Sequence, residues 1–363
     1  MPDFQARREK LRRRLKKAGI EALLVTDTTN VTYLTGFTGD DSFLLVTRSD
    51  ALLLSDFRFI EQLAEECPGL EVSIRKVGTE MHEAVGAALQ ACKLGSVGIE
   101  ATSMTVDLLE RLTQQAEGVE FVPTKQLVEQ FREIKDRDEI NAIRDAVQIA
   151  ERAFAVIRAA LCPEQTEKQI AHELENQIRR FGGDRCSFTP IVGVGSRGAL
   201  PHAVLSDRQI GDSDFVLIDW GARASLYVSD LTRVLVTGKI PPKLEKIYDI
   251  VLRAQQAAID AIRPGAVMQE VDAAARQVIE DAGHAKRFGH SLGHGIGLQV
   301  HESPRLAAGQ QRTLKAGMVV TVEPGIYFPG WGGVRIEDDV LVTRAGHEVL
   351  SNVTRDFADC VLS

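Results

Sequence analysis

The sequence lacks any apolar run of about 18 residues, the length that a membrane-spanning helix requires. Its first residues, Met1 to Lys10, lack the apolar core of a secretory signal peptide. Cysteine is scarce: five residues form an odd, scattered set without a Cys-x-x-Cys pair, which argues against a disulfide framework or a thiolate zinc site. We therefore expect a cytoplasmic protein with reduced cysteines and no membrane partner.

Basic residues are in the minority, with 43 Lys and Arg against 51 Asp and Glu and a formal net charge of -8. Binding to nucleic acid needs a concentrated basic surface, and the basic cluster from Arg7 to Lys17 is typical of a solvated helix face. We expect no nucleic-acid partner. Low-complexity tracts and short-period repeats are absent from the sequence as well.

The chain is long enough for two domains, because its 363 residues exceed the roughly 250–300 over which a single core usually grows. Strand and helix patterns alternate in the first part, which predicts an α/β domain over residues 1–125. Pro123 indicates a boundary, and residues 126–140 are interpreted as a linker and the start of a long helix. Helices are predicted at 4–19, 59–66, 81–91 and 105–115, and strands at 20–25, 43–46, 51–54 and 96–99.

Residues 141–363 are predicted to form an α+β domain in which helices are interleaved with largely antiparallel strands. The helix that starts in the linker is expected to run from Lys135 to Leu161. Further helices are predicted at 167–181, 244–262 and 268–282, and strands at 215–218, 231–236, 319–322 and 340–342.

Four carboxylates lie next to apolar strand patterns of this second domain. Asp219 ends one strand and Asp230 opens the next, and Glu323 and Glu337 repeat the arrangement later in the chain. Four such carboxylates would repel one another without a countercharge, and desolvation would add to the cost. The pattern therefore predicts a pair of divalent metal ions. Hard oxygen ligands without a thiolate favour Mn²⁺, with Co²⁺, Zn²⁺ and Fe²⁺ as competitors.

Histidines are concentrated in the same part of the chain. Four of the eight, at 284, 290, 294 and 301, fall within residues 284–301, interleaved with glycines that are expected to let the backbone approach a ligand. The Gly-x-Gly pattern around His294 lacks the strand-loop-helix context of a phosphate loop. We expect ordinary structural roles for His82, His172, His284 and His347.

These motifs resemble those of the metal-dependent Xaa-Pro peptidases, aminopeptidase P and prolidase, within the pita-bread metallopeptidase family M24. The resemblance is carried in the first domain by Asn30-Val-Thr-Tyr33-Leu-Thr-Gly36-Phe37 and Leu-Ser-Asp56-Phe-Arg58-Phe. In the second it is carried by Asp219-x-Gly-Ala, Ser-Asp230-Leu-Thr-Arg, Gly-His294-Gly-Ile-Gly, Val-His301-Glu, Glu323-Pro-Gly-Ile-Tyr and Val-Arg335-Ile-Glu337-Asp. It implies a creatinase/prolidase-like N-terminal α/β domain followed by an α+β pita-bread catalytic domain.

The resemblance also implies a role for each matching residue. Five residues would hold the two metal ions, with Asp230 and Glu337 bridging them: Asp219, Asp230, His294, Glu323 and Glu337. Glu323 would act as general base, and His202 and His301 would bind the substrate carbonyl and the developing oxyanion. His290 and Arg335 would line the proline side of the pocket. One departure from the family is Leu226, which stands where glycine is usual.

The implied reaction is release of an N-terminal residue from peptides with proline second, and the alternative is an Xaa-Pro dipeptidase, or prolidase. The Xaa-Pro bond has no N–H donor, which is a reason for a dedicated enzyme. Two less favoured functions are a creatinase-like hydrolase without metal, which predicts missing ligands, and a non-catalytic peptide-binding module. A third alternative, methionine aminopeptidase, is disfavoured because those enzymes lack an N-terminal domain like residues 1–125. The family resemblance further implies a homodimer.

Overall fold

The computed structural model of the protein describes residues 3–362. The described chain divides after Arg132 into two compact units, which are presented separately below. Among the described residues, no helix is both long enough and apolar enough to cross a membrane.

The first unit, residues 3–132, is an α/β domain, as predicted. Its elements, in chain order, are α1 (Phe4–Ala18), β1 (Ala22–Val25), α2 (Thr28–Thr35), β2 (Phe43–Thr47), β3 (Ala51–Ser55), α3 (Ile60–Glu66), β4 (Glu71–Ile74), α4 (Met81–Ala91), β5 (Ser96–Glu100), α5 (Val106–Gln115), β6 (Glu120–Thr124) and α6 (Glu129–Arg132). The strands form a sheet in the order β4-β3-β2-β1-β5-β6. β1, β5 and β6 run parallel, and the hairpin β2–β3 is antiparallel.

Several features of this unit differ from the sequence prediction. Helices α2 and α6 and strands β4 and β6 were not predicted, and Pro123 lies inside β6. β6 is the last strand of the sheet and pairs with β5 alone among the described strands, so its proline occupies an edge position, where the missing N–H is tolerated.

A buried polar cluster lies at the carboxyl ends of β1 and β5. The Glu100 carboxylate accepts hydrogen bonds from the backbone N–H groups of Thr26 and Asp27 and from the amide of Asn30. Asn30 also accepts a bond from Arg132. Burial raises the pKa of Glu100 to about 7, although these donors act in the opposite direction.

The second unit, residues 133–362, combines long helices with short strands. The helices are α7 (Arg137–Ala160), α8 (Glu167–Arg180), α9 (Pro242–Ala261), α10 (Met268–Asp281) and α11 (Phe357–Cys360). The strands are β7 (Arg185–Cys186), β8 (Ile191–Val194), β9 (Phe215–Trp220), β10 (Ala222–Ala224), β11 (Tyr227–Val228), β12 (Leu231–Val236), β13 (Gly293–Gly295), β14 (Glu302–Leu306), β15 (Val319–Val322), β16 (Gly325–Phe328), β17 (Gly332–Arg335), β18 (Asp338–Val342) and β19 (His347–Val349).

The strands of this unit pair antiparallel, as predicted. One sheet has the order β12-β9-β8, and another has the order β14-β13-β15-β18-β19. An isolated bridge between Thr232 and Glu337 joins these two sheets. Helices α9 and α10 bury their apolar faces in the larger core, where Tyr248, Val251 and Val271 are almost fully buried. The rigid strands, supported by this core, carry the polar residues of the site.

The turn between β10 and β11 is strained. Ser225 and Leu226 both have left-handed backbone angles, with φ of 49° and 75°, a region that disfavours residues with a Cβ atom. Leu226 is the position where the resembled family usually has glycine. Its side chain is partly buried against the cluster that contains Ile143 and Tyr227.

Candidate active site

The predicted carboxylates meet where the two sheets adjoin. In the register of β9 and β12, Asp219 lies opposite Thr232, and Asp230 immediately precedes β12. Glu337 joins this pair through its bridge to Thr232, and the Thr232 hydroxyl donates to Glu337 Oε2 at 2.6 Å. Strand pairing therefore brings together side chains that are more than 100 residues apart in the chain.

His294 and Glu323 come from the second sheet. His294 is the middle residue of β13, and Glu323 follows β15, where its backbone N–H donates to Leu292 O. Tight packing explains the glycines on both sides of His294. A Cβ atom on Gly293 would lie 1.9 Å from Thr321 O, and one on Gly295 would lie 2.4 Å from Ser303 O. The glycines were expected to let the backbone approach a ligand, but the atoms closest to Gly293 and Gly295 belong to neighbouring strands.

The acidic and imidazole groups lie within a few ångströms of one another. His294 Nε2 is 3.3 Å from Glu323 Oε1 and 3.8 Å from Asp230 Oδ2. Ligand atoms of Asp230, His294 and Glu337 all fall within 4.8 Å of one another, a spacing that could hold a metal ion. His294 Nδ1 is 3.1 Å from Gly295 O, a contact that fixes the orientation of the ring.

A buried arginine also contacts this group of carboxylates. Arg335 is 3% exposed, and its Nη2 donates to Asp219 Oδ2 at 2.6 Å. Its Nε donates to the Thr232 hydroxyl and its Nη1 to the Tyr327 hydroxyl, both at 3.0 Å. Tyr327 in turn is 2.9 Å from His290 Nε2. Arg335 and Tyr327 therefore form a continuous polar network from Asp219 to His290.

Burial dominates the electrostatics of the site. It raises the pKa of Asp219, Asp230 and Glu337, and raises that of Glu323 to about 8, with Arg335 acting against the shift at Asp219, Glu323 and Glu337. The mutual repulsion of the carboxylates adds to the effect at Asp230. Burial also lowers the pKa of His294 to about 4, which keeps its ring neutral. A cluster of buried acids held near one neutral imidazole requires an added positive charge to be stable in its ionised form.

Divalent metal ions fit this set of donors. Asp219 Oδ1 and Asp230 Oδ1 are buried, and neither has a hydrogen-bond partner among residues 3–362. Unpaired buried carboxylate oxygens are costly, and metal coordination is one of the arrangements that satisfies them. The donor set of four carboxylates and one imidazole suits hard or borderline divalent ions.

A cavity of about 910 Å³ opens over these groups. It contains every residue that the sequence predicted for the site: His202, Asp219, Asp230, His290, His294, His301, Glu323, Arg335 and Glu337. His301 and His202 are exposed in the cavity, and the His301 ring centre is 4.3 Å from that of His294. Apolar side chains form further parts of the wall: Phe188, Pro190, Ile191, Val204, Leu205 and Val300.

Several residues of the site were not predicted from the sequence. Thr232 and Tyr327 lie inside the recognised motifs, and Thr232 is two residues after Asp230, so that strand alternation places both side chains on one face. Arg305 also lines the cavity, opposite His294 in the β13–β14 hairpin. No hydrogen bond or ion pair joins the exposed Arg305 guanidinium to another residue of the described chain. The sequence offered no signal for Arg305, because its position in the cavity depends on strand register.

Family comparisons give one match in each of the two units. Residues 7–134 match the Creatinase/Prolidase N-terminal domain, and residues 141–344 match Metallopeptidase family M24. The chain belongs to metallopeptidase family M24 and is a hydrolase with a creatinase/prolidase N-terminal domain. Its catalytic unit has the pita-bread fold that the resemblance implied.

Individual relatives of the chain include both Xaa-Pro dipeptidases and an X-Pro aminopeptidase. The chain is similar to a solved Xaa-Pro dipeptidase from Bacillus anthracis, with a TM-score of 0.95 and 37% identity over 99% of this chain and 100% of that one. An Xaa-Pro dipeptidase from Pyrococcus horikoshii is 36% identical over 94% of this chain and 96% of its own. A solved X-Pro aminopeptidase from Thermotoga maritima has a TM-score of 0.88 and 34% identity over 94% of this chain and 99% of its own.

Proposed function

We propose that this protein is an Xaa-Pro dipeptidase that hydrolyses the bond before a C-terminal proline with the help of two divalent metal ions. The observation that carries the proposal is the group of four carboxylates, three of them buried and Glu323 partly buried, and one neutral imidazole in a single cavity. The sequence motifs pointed first to aminopeptidase activity on longer peptides, with the dipeptidase as the alternative. The relatives favour the dipeptidase.

The residues that would hold the metal ions are Asp219, Asp230, His294, Glu323 and Glu337. When bound, the pair would supply a water of lowered pKa and would polarise the scissile carbonyl. We propose Mn²⁺ as the ion in the cell, with Co²⁺, Zn²⁺ and Fe²⁺ as competitors, because oxygen ligands predominate. Thr232 and Arg335 hold Glu337 and Asp219 in place through the hydrogen bonds described above.

The reacting groups of the chain itself are assigned as follows. Glu323 takes a proton from the attacking water and transfers it towards the proline nitrogen, a role for which a pKa near neutrality is suited. His301 and His202 project into the cavity and donate to the substrate carbonyl oxygen as it gains negative charge. Burial lowers the pKa of His301, so a neutral N–H donor is available.

The proline side of the pocket is assigned to His290 and Arg305. His290 is fixed by its contacts with Tyr327 and with Ser291 O, and burial lowers its pKa to about 4, so it presents a neutral ring. Arg335 lines the same side, but its three side-chain bonds already engage it. Arg305 is exposed and unengaged within the described chain, which makes it the better partner for the free carboxylate of a dipeptide.

The proposal includes a cytoplasmic location and a homodimer. The five cysteines all lie in the described range and are unpaired, which fits a reducing compartment. Size-exclusion chromatography with light scattering tests the dimer.

The decisive experiment strips the metal, restores Mn²⁺, and compares an Xaa-Pro dipeptide with an Xaa-Pro-Yaa tripeptide. The expected result is metal-dependent cleavage of the dipeptide, little cleavage of the tripeptide, and loss of both in Glu323→Gln. Efficient tripeptide cleavage would assign the aminopeptidase reaction instead. If neither substrate is cleaved with any of the four metals, the protein is a binding module and the proposal is wrong.

A further inference from the structure

The hairpin of β13 and β14 brings three polar groups to the cavity, His294 at its base, His301 at the end of its loop and Arg305 on its second strand. The base is fixed by pairing with β15, which directly precedes Glu323. The loop over residues 296–301 lies outside the strand ladder, so other contacts must set the position of His301.

A buried ion pair provides one such contact. Lys135 Nζ is 3.4 Å from Glu302 Oε2, and the two side chains are only 1% and 4% exposed. Glu302 directly follows His301, and its other carboxylate oxygen accepts a hydrogen bond from the backbone N–H of Gln299 at 3.0 Å. The Glu302 carboxylate therefore contacts both the backbone of the loop and the Lys135 ammonium group.

A second contact comes from Glu133, which lies with Lys135 in the short segment that precedes α7. Glu133 is 2% exposed, and its carboxylate accepts hydrogen bonds from the Ser303 hydroxyl at 2.6 Å and from Arg312 at 2.9 Å. The segment is itself anchored, because the Lys135 backbone N–H donates to Gly317 O at 2.8 Å. Residues 133–135 thus hold both Glu302 and Ser303, the two residues after His301.

The glycine at 297 supports the same interpretation. A Cβ atom there would lie 2.8 Å from Glu302 Oε2 and 3.0 Å from Lys135 Cε. The loop backbone is packed directly against the ion pair, so a displacement of either charge is transmitted to the loop. Because Lys135 lies in the charged segment that leads into α7 and not in a recognised motif, sequence comparison with the catalytic motifs does not identify it.

We propose that Lys135 is a positioning residue for the reaction, which acts through Glu302 to place His301 at the substrate carbonyl. The inference rests on the proposed function, because it needs a substrate whose carbonyl His301 contacts. A neutral residue at 135 leaves the Glu302 carboxylate without its buried cation, and the carboxylate then shifts towards water or takes up a proton. Either change moves the adjacent His301, and a displacement of about 1 Å at a reacting group can reduce the rate about 100-fold.

The test compares Lys135→Met with Lys246→Met, since Lys246 is an exposed lysine on α9 and does not line the cavity. With an Xaa-Pro dipeptide and saturating Mn²⁺, kcat of Lys135→Met should fall about 10- to 100-fold with little change in KM, because His301 acts mainly on the transition state. Affinity for Mn²⁺, measured by calorimetry, should stay within about twofold. Lys246→Met should match the wild type.

A double-mutant cycle separates positioning from a general loss of structure. In a His301→Ala background, Lys135→Met should cost almost nothing further in kcat, because the residue through which it acts is gone. A full additional loss in that background, or an unchanged kcat in the single variant, would overturn the proposal. If Lys135→Met does not fold, Gly297→Ala provides the same cycle, with the same two refuting results.

Failure of the proposed function is distinguishable from failure of this inference. Wild-type protein that cleaves no dipeptide refutes the proposed function. Wild-type protein that cleaves the dipeptide, together with a Lys135→Met variant of equal kcat, refutes the positioning role alone.

Discussion

Removal of the Arg305 charge should convert a dipeptide-selective enzyme into a less selective one. Arg305 is exposed in the cavity, on the strand that faces His294, and its guanidinium has no other partner within residues 3–362. A dipeptide with C-terminal proline carries its carboxylate one residue beyond the scissile bond, whereas a tripeptide carries it about 3.5 Å further on. The arginine should therefore favour the shorter substrate.

The size of the effect follows from the exposure of the side chain. A hydrogen bond to a charged group contributes about 1.5–3 kcal/mol, and an exposed guanidinium should lie in the lower half of this range because water screens it. A loss of about 1.5–2 kcal/mol corresponds to a decrease of about 10- to 30-fold in kcat/KM for the dipeptide. For the tripeptide we expect a change of less than about threefold, since its carboxylate lies beyond the guanidinium.

The assay measures kcat/KM for both substrates in wild type, Arg305→Met and Arg305→Lys. The lysine variant keeps the positive charge and should recover most of the dipeptide activity. Arg253→Met, at an exposed ion pair on α9, is the matched control and should have no effect. Equal losses for dipeptide and tripeptide in Arg305→Met would refute the reasoning, because they would indicate general damage to the cavity.

Four further outcomes are expected. Thr232→Val should weaken Mn²⁺ binding about 10-fold in calorimetry through loss of its bond to Glu337, whereas Thr232→Ser should stay within about threefold. Removal of the metal with a chelator should lower the free energy of unfolding, measured by denaturant titration, by about 3 kcal/mol. The reference is protein in which the free metal concentration is 100 times the Kd of the site. Equal stability with and without metal would contradict a metal site in the folded protein. Because the folded-state pKa of Glu100 is raised to about 7, its contribution to stability is present below about pH 4.5 and is lost as the pH rises to 7. The free energy of unfolding of Glu100→Gln should therefore change less between about pH 4.5 and 7 than that of the wild type, by up to about 3 kcal/mol. Parallel curves of the free energy of unfolding against pH for the two proteins would exclude the raised pKa of Glu100. Leu226→Gly should be more stable than Leu226→Ala by about 1 kcal/mol in thermal unfolding, because both lose the same packing but only glycine relieves the left-handed strain.

Much of the fold could be predicted because periodic apolar patterns carry most of the information. The long helix predicted over 135–161 is α7, and the strand predicted over 231–236 is β12. Helix α2 was missed because its sequence is rich in β-branched residues, which favour strands. It forms because Asp27 caps its first turn and Gly36 ends it in a left-handed conformation with φ of 83°, while Leu34 is buried.

The site was predictable where residues belong to motifs and was hidden where residues meet through tertiary structure. The motifs around Asp219 and Glu337 indicated the carboxylates, and the structure brings both to one cavity. Arg305 and the ion pair of Lys135 with Glu302 depend on strand register and on the path of a connecting segment. A linear pattern does not encode such meetings between distant segments, which explains why they were found in the structure alone.

The separation between the strands that carry the carboxylates and the loops that form the apolar wall has a practical consequence for protein engineering. Phe188 and Pro190 lie between β7 and β8, and Val204 and Leu205 lie in the segment that leads to β9, with Val204 82% exposed. Saturation libraries at these four positions can explore new substrate side chains at little risk to folding, since loop positions tolerate change better than packed strands. Directed evolution of new selectivities should begin there and leave the glycine-flanked strand of His294 untouched.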